Sequence, residues 1–237
     1  MPKTDPLVIR YSSGRGKNLG KTKEHALPIE RFIDLFREPH RTGERTKEYD
    51  RMSEDDQKTL KGVAGWFFRA QTEGGVRNAK SARPSDVLTF DFDYPSEEYF
   101  ERMLNREIMP GIRWWLHTSR RHRPGKPRFR LFVPTPKPLP NDLYMPVSRI
   151  VAKLFDPDME FVDRVSFRPA QLMFMPTASK DQEFVFFENN PGSYIDWQSE
   201  VEDYVAVHGD YLDVNNLPKT EGERLRVTAE KMEGIDY

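Results

Sequence analysis

Alternating apolar and polar positions predict β-strands along much of the chain. The clearest stretch covers residues 86–93, with the sequence DVLTFDFD. Its leucine and phenylalanines fall on one face, and the carboxylates of Asp91 and Asp93 fall together on the other. Residues two apart on a strand lie roughly 6.5 Å apart along the chain. The pattern therefore predicts a strand with one buried face and two adjacent acids.

The rest of the chain predicts a mixture of strands and helices. Alternation, or short apolar runs between turn residues, predicts further strands over residues 7–11, 65–70, 112–118, 127–134, 171–176 and 183–187. Apolar residues at helical spacing and N-cap residues predict helices over residues 28–36, 53–60, 96–106, 147–154 and from about 194 onward. The polar run 38–50 predicts a loop, and the prolines of residues 134–140 predict a linker.

Composition limits the class of protein. The chain has 237 residues, of which 37% are apolar and 12% aromatic, enough to bury a core in one large domain or a domain plus a smaller module. It contains no cysteine, which excludes disulfides and thiolate zinc sites and suits a reducing cytosolic setting. The sequence shows no signal peptide and no apolar run near 18 residues, so we expect neither secretion nor membrane spanning.

Charge is distributed unevenly along the chain. The formal net charge is −1, which does not by itself favour a nucleic-acid partner. Lysine and arginine are nevertheless concentrated in a few segments, above all in residues 119–130, SRRHRPGKPRFR. Arg128 and Arg130 stand two apart on a predicted strand, so both side chains can reach one anion.

The acids and the cations together indicate one chemistry. Asp91, Asp93 and a third acid, Asp163, can hold hard divalent cations such as Mg²⁺ or Mn²⁺ through carboxylate oxygens. Two such ions activate an attacking hydroxyl and hold a triphosphate, while cations opposite them neutralise its phosphates. Taken alone, the acidic pair fits a solvated edge strand equally well, and the downstream residues favour the metal site.

Three motifs resemble those of a known family in their order and spacing. The motifs are DFD at 91–93, TSRRHRPGKPRFRL at 118–131, and VD at 162–163 followed by QLMFMP at 171–176. They resemble the archaeo-eukaryotic primase-polymerases, in the form found in phage and prophage replication proteins and often fused to a helicase of the virulence-associated E kind. The resemblance covers roughly residues 60–190.

This resemblance implies an activity and a fold. The activity is that of a DNA primase or DNA polymerase, which uses nucleoside triphosphates, Mg²⁺ or Mn²⁺ and a single-stranded DNA template in bacteriophage or mobile-element replication. A replicative helicase is implied as a partner, in the same or another chain, in the cytoplasm of a bacterial host. The implied fold is α+β, an RNA-recognition-motif-like (RRM-like) antiparallel sheet with helices plus an N-terminal α/β module. We expect a catalytic domain over residues 1–190, divided near residue 85, and an acidic helical extension over residues 191–237.

The resemblance also implies roles for single residues. Asp91 and Asp93 are implied as metal ligands, and Asp163 as the third catalytic carboxylate. Further nucleotide or phosphate contacts are expected from Ser119, Arg120, Lys126, Arg128, Arg130 and Arg168, with Gln171 flanking the third motif.

The second motif departs from the common form of the superfamily. That form has a small residue two positions before its histidine, whereas Arg120 stands there before His122. The main triphosphate contact can therefore be His122, Arg128 or Arg130, and His117 is a further candidate.

Two other classes of function are open at the level of the sequence. A non-catalytic replication initiator or single-stranded DNA-binding module would use the basic run to grip phosphates, and Trp114 or Trp115 to stack on bases. A metal-dependent nuclease would use the same ions. The acidic pair argues against the binding module, because without a metal ion it repels DNA.

Overall fold

A computed structural model describes residues 6–16 and 21–226 of the chain. In this part of the chain, two four-stranded sheets and one two-stranded sheet are packed with helices. The predicted α+β class is confirmed, because a helix-backed antiparallel sheet is joined to an N-terminal module of strands and helices. Among the described residues, no helix combines the length and apolar character needed to cross a membrane.

The central sheet carries the acidic strand predicted from the sequence. Its strands are β5 (Ser85–Asp93), β6 (Trp114–Thr118), β7 (Arg128–Leu139) and β10 (Phe186–Asn189). They are antiparallel in the order β10-β6-β7-β5. The prediction of a linker over residues 134–140 is wrong, because β7 continues through these prolines past an irregularity in its register with β5. Prolines are accepted in strands at such irregularities.

The N-terminal sheet is completed by a strand from much later in the chain. Its strands are β1 (Val8–Gly14), β2 (Lys23–Pro28), β4 (Trp66–Phe68) and β8 (Met173–Phe174). They are antiparallel in the order β2-β1-β4-β8. At Gly14 a Cβ atom would lie 2.1 Å from the ring of Trp66, so this close packing requires glycine.

Helices cover both sheets. They are α1 (Ile29–Asp34), α2 (Thr46–Asp50), α3 (Glu54–Gly62), α4 (Glu97–Leu104), α5 (Tyr144–Phe155) and α6 (Trp197–His208). Short 3₁₀ segments cover Glu73–Gly75, Arg164–Phe167 and Val214–Asn216. The hydroxyl groups of Ser53 and Ser96 accept backbone hydrogen bonds at the starts of α3 and α4, which confirms both predicted N-caps.

A small parallel sheet pairs β3 (His40–Thr42) with β9 (Thr177–Ser179). The polar run 38–50 therefore contains a strand and the helix α2, and the prediction of a loop is wrong there. The strand forms because a partner remote in sequence supplies its hydrogen bonds, and local apolar periodicity gives no sign of it.

Hydrophobic side chains pack on both faces of the central sheet. On one face, residues such as Phe90 and Phe129 pack beneath α4, α5 and α6. On the other face, Trp115 packs against Phe32 of α1 and Phe132 packs against Phe67 of β4. The alternation predicted for β6 and β7 is confirmed, and the second face also carries the polar residues of the candidate site.

The segment after residue 190 packs on the same core. Ile195, Trp197 and Val201 are buried, and the indole N–H of Trp197 donates to the carbonyl oxygen of Lys137 at 2.9 Å. The predicted acidic extension is helical here through α6, and its residues 227–237 lie outside the described residues. The domain boundaries near 85 and 190 stay predictions.

Candidate functional site

The register of the central sheet brings acids and cations into one row. Asp91 of β5 stands opposite Arg130 of β7, and Arg130 stands opposite His117 of β6. Two positions along, Asp93 stands opposite Arg128. Side chains directly opposite each other on one face of a sheet are near neighbours. The strands thus place these five side chains together.

Asp163 joins this row from the outer side of β5. An antiparallel bridge pairs Phe92 with Val162, and the backbone N–H of Asp163 donates to the carbonyl oxygen of Asp91 at 2.8 Å. Phe92 and Val162 are both buried, so their neighbours Asp91, Asp93 and Asp163 face the opposite side. The structure brings the three predicted acids to one face.

Buried polar groups hold the loop that carries Asp163. The carboxylate of Asp156, which is 2% exposed, accepts hydrogen bonds from the backbone N–H groups of residues 160–162. Asp163 caps the 3₁₀ segment that follows it, and the backbone N–H of Asp91 donates to the hydroxyl oxygen of Ser166 at 2.9 Å. The sequence gives no sign of this role for Asp156, because an acid at the end of an amphipathic helix usually lies in solvent.

Two arginines of β7 pair with the acids of β5. Arg128 donates from Nε to Asp93 Oδ1 at 2.5 Å and from Nη2 to Asp93 Oδ2 at 2.9 Å. Arg130 donates from Nε to Asp91 Oδ1 at 2.9 Å and from Nη1 to the carbonyl oxygen of Phe174 at 2.8 Å. Charge-assisted pairs of this kind are strong and directional. Arg130 also connects the acidic strand to β8.

Negative charge at Asp93 is only partly compensated. Burial raises the pKa of its carboxyl group, Arg128 acts in the opposite direction, and the like charges of Asp91 and Asp163 raise it again. Burial alone would lower the pKa of Arg128, but its pairing with Asp93 outweighs that effect and the pKa is raised. An additional cation at this site would relieve the repulsion among the acids.

A cavity of about 190 Å³ opens over this row. The central sheet contributes Asp91, His117, Arg128 and Arg130 to its lining, and α3 contributes Lys61. Gln171 and residues of the β8 segment complete the lining of the cavity. The cavity therefore combines one carboxylate, that of Asp91, with several cationic side chains.

Lys61 is a cation of the cavity that was not predicted from the sequence. It lies in the last turn of α3 and lines the cavity. Burial lowers the pKa of its amine to about 8, and the positive charges of Arg121 and Arg128 act in the same direction. An anion in the cavity would raise that pKa again. A lysine in a short, strongly polar helix gives no sequence signal that separates it from a solvated surface residue.

The basic run 119–126 is attached to the N-terminal module through its arginines. The pairs are Arg120 with Glu44, Arg121 with Gln57, and Arg123 with Asp50. Ser119, Arg120 and Arg121 also line the cavity, and Arg120 is 4% exposed. Part of the predicted phosphate-binding run thus connects the central sheet to the N-terminal module.

Five of the predicted site residues lie outside the cavity lining, namely Asp93, Asp163, His122, Lys126 and Arg168. His122 packs on Phe100 of α4 with 5.5 Å between ring centroids, and its Nδ1 accepts a hydrogen bond from a backbone N–H of β7 at 3.3 Å. Burial lowers the pKa of His122. Lys126 and Arg168 are exposed. Among the candidate triphosphate contacts, the structure brings the two strand arginines, and not His122, next to the acids.

A buried arginine holds the segment between Asp163 and β8. Arg69, which is 1% exposed, donates to the carbonyl oxygens of Pro169 at 2.6 Å and Gln171 at 3.5 Å. Its guanidinium carbon lies 3.2 Å from the ring centroid of Tyr144. Burial lowers its pKa to about 10. This clamp fixes the wall of the cavity that carries Gln171.

The acids suit a hard divalent cation in chemical type. Mg²⁺ and Mn²⁺ prefer carboxylate oxygens, and the three acids share one face. In residues 6–16 and 21–226, no group of three or more His, Asp or Glu side chains is placed to hold a metal ion as the side chains stand. Arg128 and Arg130 engage Asp93 and Asp91 instead. The donor set fits the ion, and binding it requires the two arginines to turn to another anion.

A larger cavity of about 440 Å³ lies between α4 and residues 154–161. Its lining includes Glu98, Asp158 and Glu160. These carboxylates would repel a nucleotide, so electrostatics favour the smaller cavity over the row of acids and arginines.

Comparison with protein families gives one match. A family model described as the VapE N-terminal domain matches residues 3–220. No curated protein matches the chain significantly in sequence.

Comparison with solved structures gives distant likenesses. The AEP domain of the primase-polymerase (PrimPol) of cyanophage S-2L has a TM-score of 0.42 and 11% identity, over 84% of this chain and 90% of that one. The primase RepB′ has a TM-score of 0.40 and 11% identity, over 98% of this chain and 65% of that one. The catalytic domain of primase RepB′ in complex with initiator DNA has a TM-score of 0.38 and 12% identity, over 83% and 85% of the two chains.

Proposed function

The chain belongs to the VapE N-terminal domain family, and we propose that it is a primase-polymerase domain that joins nucleotides on a single-stranded DNA template. The observation that carries the proposal is the shared face of Asp91, Asp93 and Asp163, with Arg128 and Arg130 directly opposite. Acids that can hold divalent metal ions thus lie beside arginines that can hold a triphosphate. The three sequence motifs and the family match support the same function.

In this proposal the three acids hold Mg²⁺ or Mn²⁺. When bound, the ions supply activation of the attacking hydroxyl and neutralisation of phosphate charge. Asp163 is held in place by the loop that Asp156 fixes, so its carboxylate needs little ordering when a cation arrives. Asp91 and Asp93 would contact the metal ions once Arg130 and Arg128 no longer pair with them.

The arginines bind the triphosphate in the same exchange. Phosphate oxygens accept hydrogen bonds from a guanidinium group as carboxylates do. Arg128 can therefore exchange its two hydrogen bonds to Asp93, and Arg130 its one to Asp91, for hydrogen bonds to the nucleotide. Lys61 also lines the cavity and adds a third positive charge.

The other predicted contacts belong to the periphery of the proposed site. Ser119 and Arg120 line the cavity and can contact the nucleotide. The exposed Lys126 and Arg168 can contact template phosphates outside it, as surface cations do on nucleic acids. His122 supports the turn that precedes β7. A replicative helicase and a role in bacteriophage or mobile-element replication in a bacterial cell belong to the same proposal.

A template-extension assay tests the proposal. Purified protein is given single-stranded DNA, Mg²⁺ or Mn²⁺ and labelled nucleotides, beside Asp91→Asn and the matched surface control Asp203→Asn. We expect metal-dependent extension, reduced by Asp91→Asn about 10²-fold or more, the scale for loss of one electrostatic stabiliser. The control should extend normally.

Two outcomes would contradict the proposal. Metal-dependent shortening of the template would indicate a nuclease. Equal DNA binding by all three proteins without any product would indicate a binding module.

A further inference from the structure

His117 is a buried polar group for which the proposed chemistry has no role. It is 2% exposed and lines the cavity from β6. Its ring lies among aromatic rings, with centroid distances of 5.8 Å to Phe36, 5.6 Å to Phe132 and 5.8 Å to Phe184. These neighbours fix the ring plane and offer it no hydrogen bond.

The ring nitrogens of His117 have different roles. Nδ1 lies 3.0 Å from the carbonyl oxygen of Thr118. A carbonyl oxygen only accepts, so Nδ1 carries the hydrogen and Nε2 presents a lone pair. Nε2 is buried and has no hydrogen-bond partner among the described residues. Burial lowers the pKa of His117 to about 3, and the charge of Arg130 acts in the same direction, so the ring is neutral.

A neutral Nε2 selects the kind of group it can bind. Phosphate oxygens are acceptors, so His117 is not a triphosphate contact, in contrast to the adjacent Arg130. Its partner must be a hydrogen-bond donor that enters the cavity, because a buried acceptor left unpaired is costly. The donors of a nucleotide are its sugar hydroxyls and the N–H groups of its bases. A template-directed enzyme accepts all the bases, and their N–H groups lie at different positions, so the donor shared at one position is a sugar hydroxyl.

A second orphaned group lies in the same cavity. The hydroxyl oxygen of Ser119 is also buried and has no partner among the described residues. A sugar hydroxyl both donates and accepts. It could donate to His117 and accept from Ser119, which would satisfy both protein groups at once.

We infer that His117 Nε2, assisted by Ser119, binds a hydroxyl of the nucleotide sugar and so sets which sugars the site accepts. This inference rests on the proposed function, because it requires a nucleotide whose phosphates lie on Arg130. His117 stands next to Arg130 in the register of the sheet, so one nucleotide can reach both.

Equilibrium binding tests the inference without turnover. The affinities for ATP, 2′-deoxy-ATP and 2′,3′-dideoxy-ATP are measured by calorimetry in Mg²⁺ buffer for the unmodified chain, His117→Phe and His117→Gln. His117→Phe keeps an aromatic ring and removes the acceptor, whereas His117→Gln keeps an acceptor oxygen. We expect removal of one hydroxyl to weaken binding about tenfold in the unmodified chain, the scale for one buried hydrogen bond.

The variants decide which group reads the hydroxyl. The ratio to compare is the affinity for the ligand that carries the hydroxyl divided by the affinity for the ligand that lacks it. In His117→Phe this ratio should fall close to one, while affinity for the ligand that lacks the hydroxyl stays unchanged. His117→Gln should retain part of the ratio. Ser119→Ala removes the cavity hydroxyl that has no partner among the described residues, and it should reduce the ratio as well.

Failure of this inference differs from failure of the proposed function. Nucleotide binding and template extension with the same sugar ratio in His117→Phe would overturn the role of His117 and leave the polymerase function intact. Equal affinity of the unmodified chain for all three ligands would overturn it too. Absence of both nucleotide binding and extension would overturn both proposals.

Discussion

At the scale of single residues, the site is governed by charges that are partly buried before a ligand arrives. Asp93 and Lys61 both have pKa values shifted toward their neutral forms, and burial is the main cause in each. A bound metal ion and a bound triphosphate would reverse the two shifts. Ligand binding should therefore be coupled to proton uptake at Lys61.

Lys61 gives a pH-dependent prediction. Its pKa of about 8 means that the amine is mainly charged at pH 7 and mainly neutral at pH 9. A polyanion binds the charged form, so a proton must be taken up at the higher pH. We expect ATP affinity, measured by calorimetry, to fall about tenfold between pH 7 and pH 9.

Two substitutions at Lys61 separate this effect from general pH effects. Lys61→Arg keeps a charge that does not titrate in this range, so its affinity should change little with pH. Lys61→Met should bind weakly at both values. An unchanged pH dependence in Lys61→Arg would show that another group titrates.

At the scale of structural elements, the loop between α5 and the 3₁₀ segment fixes the third acid. Asp156 accepts three backbone hydrogen bonds from residues 160–162, and the bridge between Val162 and Phe92 then aligns Asp163 with β5. The fold of this loop makes Val162 a direct neighbour of Phe92, although seventy residues separate the two in the sequence. Its geometry depends on one buried carboxylate.

Asp156→Asn tests the role of this carboxylate. The amide nitrogen of asparagine cannot accept, so at least one buried N–H group loses its partner, at a cost of about 1–3 kcal/mol in the free energy of unfolding. Urea denaturation measures the change. Asp158→Asn removes the same charge from an exposed position of the same loop and should change stability by less than about 0.5 kcal/mol. Equal effects of the two substitutions would assign the loss to charge rather than to the loop.

At the scale of the whole molecule, the site lies where two sheets are joined. The chain crosses from the central sheet to the N-terminal sheet through β8, and Arg130 bonds to the backbone of β8 while it pairs with Asp91. The basic run 119–126 attaches to α2, α3 and the segment near β3 in the same region. Ligand binding at the site should therefore stabilise the molecule as a whole.

Magnesium gives a measurable form of this stabilisation. An ion that binds only the folded chain at a hundred times its dissociation constant adds about 2.7 kcal/mol to the free energy of unfolding. In a chain of this size, 1 kcal/mol raises Tm by about 2–4 °C. Thermal unfolding should therefore show a rise of several degrees with Mg²⁺, reversed by a chelator. Asp203→Asn should show the same rise and Asp91→Asn little of it. An equal rise in all three would indicate a general salt effect.

The local pattern was sufficient for most of the elements near the site. Strict alternation defines β5 and separates its core face from Asp91 and Asp93, and the same pattern orients Arg128 and Arg130 on β7. Serine at an N-cap position defines the start of α4. These features are predictable because each depends on residues within a few positions of one another.

Other features could not be predicted, because they depend on contacts remote in sequence. The strand β3 forms only because β9 pairs with it, so the polar run that contains it carries no strand signal. Lys61 becomes part of the site only because α3 lies beside the basic run, where Arg121 donates a hydrogen bond to Gln57. His122 stands in the most basic motif, yet the turn before β7 directs its ring toward α4. His117, and not His122, lines the cavity.

The sequence by itself therefore determined the α+β class, the acidic strand and the faces on which its acids and the arginines of β7 lie. Side-chain direction on a strand follows from a period of two, which needs no knowledge of the rest of the chain. Only the tertiary structure decided that Asp163 stands beside Asp91, that the arginines pair with the acids, and that Lys61 and His117 line one cavity. Those relations follow from register and packing between distant segments, which local periodicity does not encode.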